Sequence, residues 1–246
     1  MSPSIGASVL ITNRCGPENA KQAGTSAPPY EWFNLGAGSG DDPAAVQANR
    51  AALAAHLELA PDHLVWMSQV HGAVVAEVTG PSADPIPGTD AMVTKAPGIA
   101  LAVLVADCVP VLAADARAGV HGVAHAGRVG AAAGVVPAML DRMVLLGAQM
   151  SDIAVLLGPA ICGQCYEVPP TMRDDVEAAL PGSACITARG TAGLDVRAGV
   201  RRQLSAAGIG SVESDERCTR EDPQLFSHRR SAPTGRFAGV VRPERE

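Results

Sequence analysis

Aromatic side chains are scarce in this sequence, only 3% of 246 residues, which excludes a platform of stacked rings for single-stranded nucleic acid. A basic excess is lacking as well. The formal net charge is −6, whereas nucleic acid or an anionic membrane surface calls for a cationic face. No uncharged apolar stretch reaches the ~18 residues that span a bilayer, and the N-terminal residues lack the basic start and apolar run of a signal peptide. The expectation is a cytoplasmic protein with a small-molecule substrate, no nucleic-acid partner and no membrane partner. The six cysteines (Cys15, Cys108, Cys162, Cys165, Cys185 and Cys218) are too few and too scattered for a disulfide scaffold, so they are expected to bind metal, react or pack.

What is present is a globular composition, 47% hydrophobic and 18% charged, with no repeat, in a length that predicts one compact domain over 1–246. Apolar runs at 99–106, 110–114, 119–125 and 153–157 read as strands covered on both faces. Shorter strands are expected at 7–13, 64–70, 73–78, 90–94 and 184–187, and a last one at 212–218. Asp42-Pro43 announces a helix to about Leu57, with Val46, Leu53 and Leu57 on its apolar stripe and Arg50 beside them. Further helices are predicted over 131–146, 174–180 and 195–207. The polar stretch 16–30 is long enough for a lid. Adjacent strands mixed with helices favour an α+β fold: a layered, sandwich-like mixed β-sheet core flanked by helices.

Three segments deliver chemistry to strand ends. Gln69-Val70-His71-Gly72 joins two strands, Asp107-Cys108 ends an apolar run, and His125-Ala126-Gly127 ends another. Two imidazoles and a thiolate make a zinc site with one position left open for water or substrate. His121, four residues before His125, shares its spacing, but the glycine- and valine-containing run is strand-like and places His125 at the exit. Asp107 either orients a ligand or forms the turn. Cys162-Gly163-Gln164-Cys165 is a redox pair or half of a structural zinc site, and no second CxxC completes it. Phe226-Ser227-His228-Arg229-Arg230 with Gly235-Arg236 places cations in a glycine-containing loop, which is either a solvated basic end or a seat for an anion such as phosphate.

Together, Gln69–Gly72, Ala106–Val111, Ala124–Gly127, Gly158–Ile161 with Cys165–Val168, and Phe226–Arg230 with Gly235-Arg236 resemble the signature blocks of the laccase-domain family. That family is variously called polyphenol oxidase, purine nucleoside phosphorylase and peptidoglycan editing factor. The resemblance implies a β-sandwich-like core and a mononuclear zinc held by His71, Cys108 and His125. It also implies catalytic roles for Arg50, Asp107 and Cys108, and a substrate and phosphate pocket using Arg50, Gln69, Arg229 and Arg236. The activity implied is phosphorolysis of adenosine, inosine and methylthioadenosine, with adenosine deamination at the same site. Alternatives are hydrolysis of a misincorporated amino acid from a peptidoglycan precursor, or a catalytically weak zinc-binding protein. Six histidines spread in this way do not suit a multicopper oxidase. Two positions depart from the family pattern: Arg128 stands where Trp is usual, and His228 where Tyr is common. The sequence leaves the oligomeric state open.

Overall fold

The computed structural model describes residues 5–17 and 24–243. In chain order the strands begin with β1 (Ser8–Ile11), β2 (Leu64–Val65), β3 (Met67–Ser68), β4 (Val75–Val78), β5 (Ile86–Pro87), β6 (Ala91–Thr94) and β7 (Ala100–Val105). They continue with β8 (Val109–Asp115), β9 (Val120–Ala126), β10 (Ala154–Leu157), β11 (Ala184–Ile186), β12 (Ala192–Leu194), β13 (Ser211–Ser214) and β14 (Phe237–Arg242). The helices are α1 (Pro43–His56), α2 (Arg128–Ala132), α3 (Val135–Leu145), α4 (Pro170–Ala179) and α5 (Val196–Ala206). One mixed sheet runs β1-β14-β7-β2, and a larger one β13-β10-β8-β9-β6-β4.

Alternation along the strands builds the layers, because successive side chains leave a strand on opposite faces. In β7, Leu101, Val103 and Val105 join Leu112, Val123, Leu156 and Phe237 in a core between the two sheets. Ala100 and Ala102 face the other way, into a second core with Leu53 of α1, Leu57 at its C-terminal cap, and Trp66. In β8 and β9, Val109, Val111, Ala113, Val120 and Ala124 turn outward under α3 and α5, meeting Met139, Met143, Val200 and Leu204. The result is a helix–sheet–sheet–helix stack. Gly122 lets α3 lie close: a Cβ there would stand 3.0 Å from the Met143 sulfur. Asp42 caps α1 by accepting from the Ala44 N–H, as its position before Pro43 predicts.

The expected sandwich of mixed sheets flanked by helices is thus the fold observed, with local corrections. The stretch 64–70 forms two short strands, β2 and β3, and not one. The 131–146 helix is broken at Gly134, whose φ of 85° is left-handed and ends α2 before α3 begins. α4 starts at Pro170, earlier than expected, because proline is favoured in a first helical turn. β13 is not the last strand. β14, an apolar run missed behind the basic segment, pairs with both β1 and β7 at the centre of the smaller sheet. Of the proposed 16–30 lid, residues 18–23 lie outside the described residues, and Thr25 is tied to α1 through Asn49 and Ala45. Among the described residues no helix is long and apolar enough to cross a membrane.

Candidate metal centre

Four strand ends meet at one rim of the six-stranded sheet. β8 and β9 are antiparallel with Pro110 opposite His125, so Cys108, just before β8, arrives beside the histidine. β6 pairs with β9 through Ala91 and Ala124, which brings Asp90 to the same rim, and β4 runs parallel to β6, so the loop before it carries His71 there. The ligating atoms of His71, Cys108 and His125 all lie within 4.8 Å of one another. The two imidazole rings stand edge to face with centroids 4.7 Å apart. His121 is not part of this group. It sits mid-sheet, paired with Thr94 and Ala114, where burial lowers its pKa.

Asp90, fully buried, organises the rim from behind. Its carboxylate accepts from the backbone N–H groups of Val70 (3.1 Å), His71 (2.9 Å) and Gly72 (2.7 Å), and from His125 Nδ1 at 2.8 Å. Those bonds hold His71 in the left-handed region, φ 61°, and fix the His125 tautomer so that its other ring nitrogen faces the thiol. Burial alone would raise the Asp90 pKa, but the His125, Gly72 and Val70 hydrogen bonds win and hold it below the usual carboxylate range. Burial likewise pushes the Cys108 thiol up, and His125 and His71 bring it down to about 6. In His125 burial is outweighed by Cys108 and Asp90, which raise it to about 9. These opposite shifts favour a thiolate–imidazolium pair in the metal-free cluster. Gly127 leaves the space a metal needs, since a Cβ there would lie 3.0 Å from both Cys108 Sγ and His71 Cδ2. Deprotonable sulfur and nitrogen donors, a carboxylate behind one imidazole and this cleared volume fit a zinc-type ion.

The cluster opens into a cavity of about 510 Å³. Four arginines line it: Arg50, Arg128, Arg229 and Arg236. Arg50 comes from α1, stacks over Trp66 with 4.3 Å from Cζ to the ring centre, and donates to the Leu35 carbonyl at 2.8 Å. Burial lowers its pKa to about 10, which leaves it a cation. Arg236 precedes β14, and Gly36 makes room for it: a Cβ at Gly36 would meet Arg236 Cγ at 2.6 Å. Asn34 Oδ1 accepts from the Arg236 and Gly36 N–H groups. Arg229 lies over Tyr166, 4.9 Å to the ring centre, and donates to the Glu167 carbonyl. Arg230, its neighbour, turns inward instead and donates to the carbonyls of Thr219, Asp222 and Leu225.

Asp107 takes the sharp turn by which the chain leaves one sheet (β7) for the other (β8), at φ 98°. Left-handed backbone is uncommon for a residue with a Cβ, and here it is held by Thr219 Oγ1 (2.6 Å) and the Arg229 N–H (2.7 Å) donating to the carboxylate and the Ile161 N–H (2.9 Å) donating to the carbonyl. Gln69 lines the cavity with both ends of its amide joined to Leu104, donating to its carbonyl and accepting from its N–H. Arg128 and His228, the two positions where the resemblance implies a departure, both line the same cavity. Asp90 was missed in the sequence, where it reads only as the first residue of a strand; its one signal is a carboxylate heading an otherwise apolar run.

Sequence reasoning also left the CxxC incomplete. The structure brings Cys218 and Glu221 to it, with the ligating atoms of Cys162, Cys165, Cys218 and Glu221 within 4.8 Å of one another. Burial and the Glu221 hydrogen bond push the Cys165 thiol up to about 12, the opposite of the depressed thiol that a redox CxxC relies on.

Fold and site together define a class: a two-sheet sandwich flanked by helices, with a His-Cys-His cluster at the rim of an arginine-lined cavity. The chain belongs to the family described as multi-copper polyphenol oxidoreductase laccase, whose model matches residues 18–244. A Mycobacterium tuberculosis protein named purine nucleoside phosphorylase is 57% identical over 221 residues, 90% of this chain and 88% of that one. One of the same name from Corynebacterium glutamicum is 51% identical over 94% of this chain and 92% of its own. Among solved structures, YlmD from Geobacillus stearothermophilus superposes with a TM-score of 0.89 at 34% identity, covering 100% of this chain and 94% of that one. The Neisseria meningitidis protein NMB0706 gives 0.83 at 30% identity, covering 99% and 96%.

Proposed function

We propose that this chain is a zinc-dependent purine nucleoside phosphorylase acting on adenosine, inosine and methylthioadenosine, and that adenosine deamination occurs at the same site. The observation that carries this reading is one cavity holding both the His71–Cys108–His125 cluster and four arginines, in a chain of net charge −6. The relatives named purine nucleoside phosphorylase support it.

The three residues would hold zinc, which when bound supplies Lewis acidity to the cavity. The arginines bind and orient phosphate, because planar guanidinium forks match its oxygens and stay charged at neutral pH. In phosphorolysis a phosphate oxygen bonds to C1′ of the ribose as the C1′–N9 bond breaks. The electron pair leaves with the purine, which takes up a proton, and ribose 1-phosphate remains. Arg50 and Arg236 hold the phosphate, and Arg229, fixed by its backbone bond to Asp107, closes the opposite side. In that arrangement Asp107 is a positioning residue. Gln69, braced on Leu104, contacts the nucleoside. Deamination replaces the C6 amine by a water oxygen and releases ammonia.

Chromatography of zinc-loaded protein with adenosine, with and without phosphate, tests the reading. Phosphate-dependent adenine, with some inosine, is expected. Release of an amino acid from a peptidoglycan precursor with no nucleoside turnover would overturn it in favour of the hydrolase.

A further inference from the structure

Outside the arginine-lined cavity, the other gathering of soft ligands among the described residues is built from two matched turns. Cys162-x-x-Cys165 follows β10, and Cys218-x-x-Glu221 follows β13, two strands that lie parallel and adjacent in the larger sheet. Each turn closes on itself in the same way: Cys165 N–H donates to the Cys162 carbonyl at 3.0 Å, and Glu221 N–H to that of Cys218 at 3.1 Å. The turns face each other. Ala160 and Cys218 form a parallel bridge, Cys162 N–H donates to Cys218 Sγ at 3.4 Å, and Cys165 Sγ lies 3.4 Å from Glu221 Oε1. In a tetrahedral zinc site, Zn–S and Zn–O bonds of ~2.3 and ~2.0 Å put sulfur and oxygen about 3.5 Å apart and two sulfurs about 3.8 Å apart. The observed sulfur–oxygen distance already has that value, and all four ligating atoms lie within 4.8 Å. Ligands separated by two intervening residues on facing turns have a usual spacing of structural zinc sites. Arg230, donating to the Thr219 and Asp222 carbonyls, sets a cation behind the second turn. All four cysteines near this region are free thiols, Cys185 included.

We propose that Cys162, Cys165, Cys218 and Glu221 form a second, structural site for a zinc-type divalent metal. It staples the loop after β10 to the segment after β13. Both carry parts of the cavity wall. Ile161 and Tyr166 line the cavity on one side of the staple, and on the other Thr219 holds the Asp107 carboxylate at 2.6 Å, next to Cys108. Three thiolates and a carboxylate fill a tetrahedron, so this site braces while the open His-Cys-His cluster meets substrate. The inference stands apart from the phosphorolysis reading, because it concerns ligands that do not line the cavity.

The test counts metal in the full chain after zinc loading and gel filtration. Wild type should retain two zinc ions per chain, Cys108→Ala one, and the Cys162→Ser/Cys165→Ser double variant one. Cys185→Ser, which alters a nearby thiol outside the ligand set, should retain two. Saturation of wild type at one ion, with none left in Cys108→Ala, would overturn the proposal. So would two ions in the double variant, a drop in Cys185→Ser, or a Cys162–Cys165 disulfide in freshly purified protein. Should the double variant fail to fold, cobalt-loaded Cys108→Ala answers the same question. Near-ultraviolet thiolate-to-cobalt charge transfer is expected from the sulfurs of Cys162, Cys165 and Cys218, and its absence would contradict the site. Nucleoside turnover enters none of these readouts, so failure here is distinguishable from failure of the proposed activity.

Discussion

The two halves of the cavity are held by different means. His71, Cys108 and His125 sit at strand ends whose positions follow from ladder register, and buried Asp90 ties two of the three together. The arginine half comes from a helix, a first helical turn and two loop residues, and three of its guanidinium groups are steadied by one or two carbonyls, those of Leu35, Glu167, and Thr234 with Gly235, with Arg50 and Arg229 also stacked on Trp66 and Tyr166. A backbone ladder fixes atoms to within a fraction of an ångström, as metal coordination demands. A long side chain held by one or two carbonyls, with no backbone ladder behind it, keeps enough freedom to close on an anion. The lesson is a division of labour, with rigidity at the His-Cys-His cluster and adaptability among the arginines proposed to hold phosphate.

The comparison breaks hardest at Cys108. Cys108→Ala should lose the metal of this cluster and lower phosphorolysis by at least about 100-fold, since Lewis-acid stabilisation is worth several kcal/mol; metal analysis and kcat/KM check both. Asp90→Asn should weaken zinc binding by about 10–100-fold while the three ligands remain, measured by chelator competition. Activity regained at saturating zinc would separate orientation of the ligands from the chemistry itself. Zinc affinity should also depend on pH. Between about 6 and about 9 the metal-free cluster holds a Cys108 thiolate and a protonated His125, so one proton must leave as metal enters. Affinity then rises about tenfold per pH unit, more steeply below about 6, where the thiol is protonated too, and levels off above about 9. A pH-independent affinity would show that the pair is not charged in this way. The smallest effect belongs to the arginine half. Arg236→Met should raise the KM for phosphate by about tenfold, the worth of one charge-assisted hydrogen bond, with metal content unchanged. A loss of metal in that variant would mean the halves are not separable.

The same contrast explains what was legible in the sequence. Strand ends announce themselves: an apolar run stopping at Cys108 or His125 is readable one-dimensionally, because strand period and covered faces are local properties. The α1 stripe that carries Arg50 was readable for the same reason. Asp90 was not, because its importance lies in three backbone N–H groups contributed from 18–20 residues upstream. β14 was masked by the basic segment before it, and only its pairing with β1 and β7 shows it to be central. The partners of the CxxC were hidden because Cys218 and Glu221 stand 56 residues further along, and β10 and β13 become neighbours only in the folded sheet.

The most direct measurement of the account is a paired product assay on zinc-loaded wild type and Cys108→Ala, with adenosine and phosphate supplied together. Wild type is predicted to release ribose 1-phosphate equal to adenine and hypoxanthine combined, and Cys108→Ala none of these beyond a trace. Adenine formed without ribose 1-phosphate, or equal turnover by the two proteins, would contradict it.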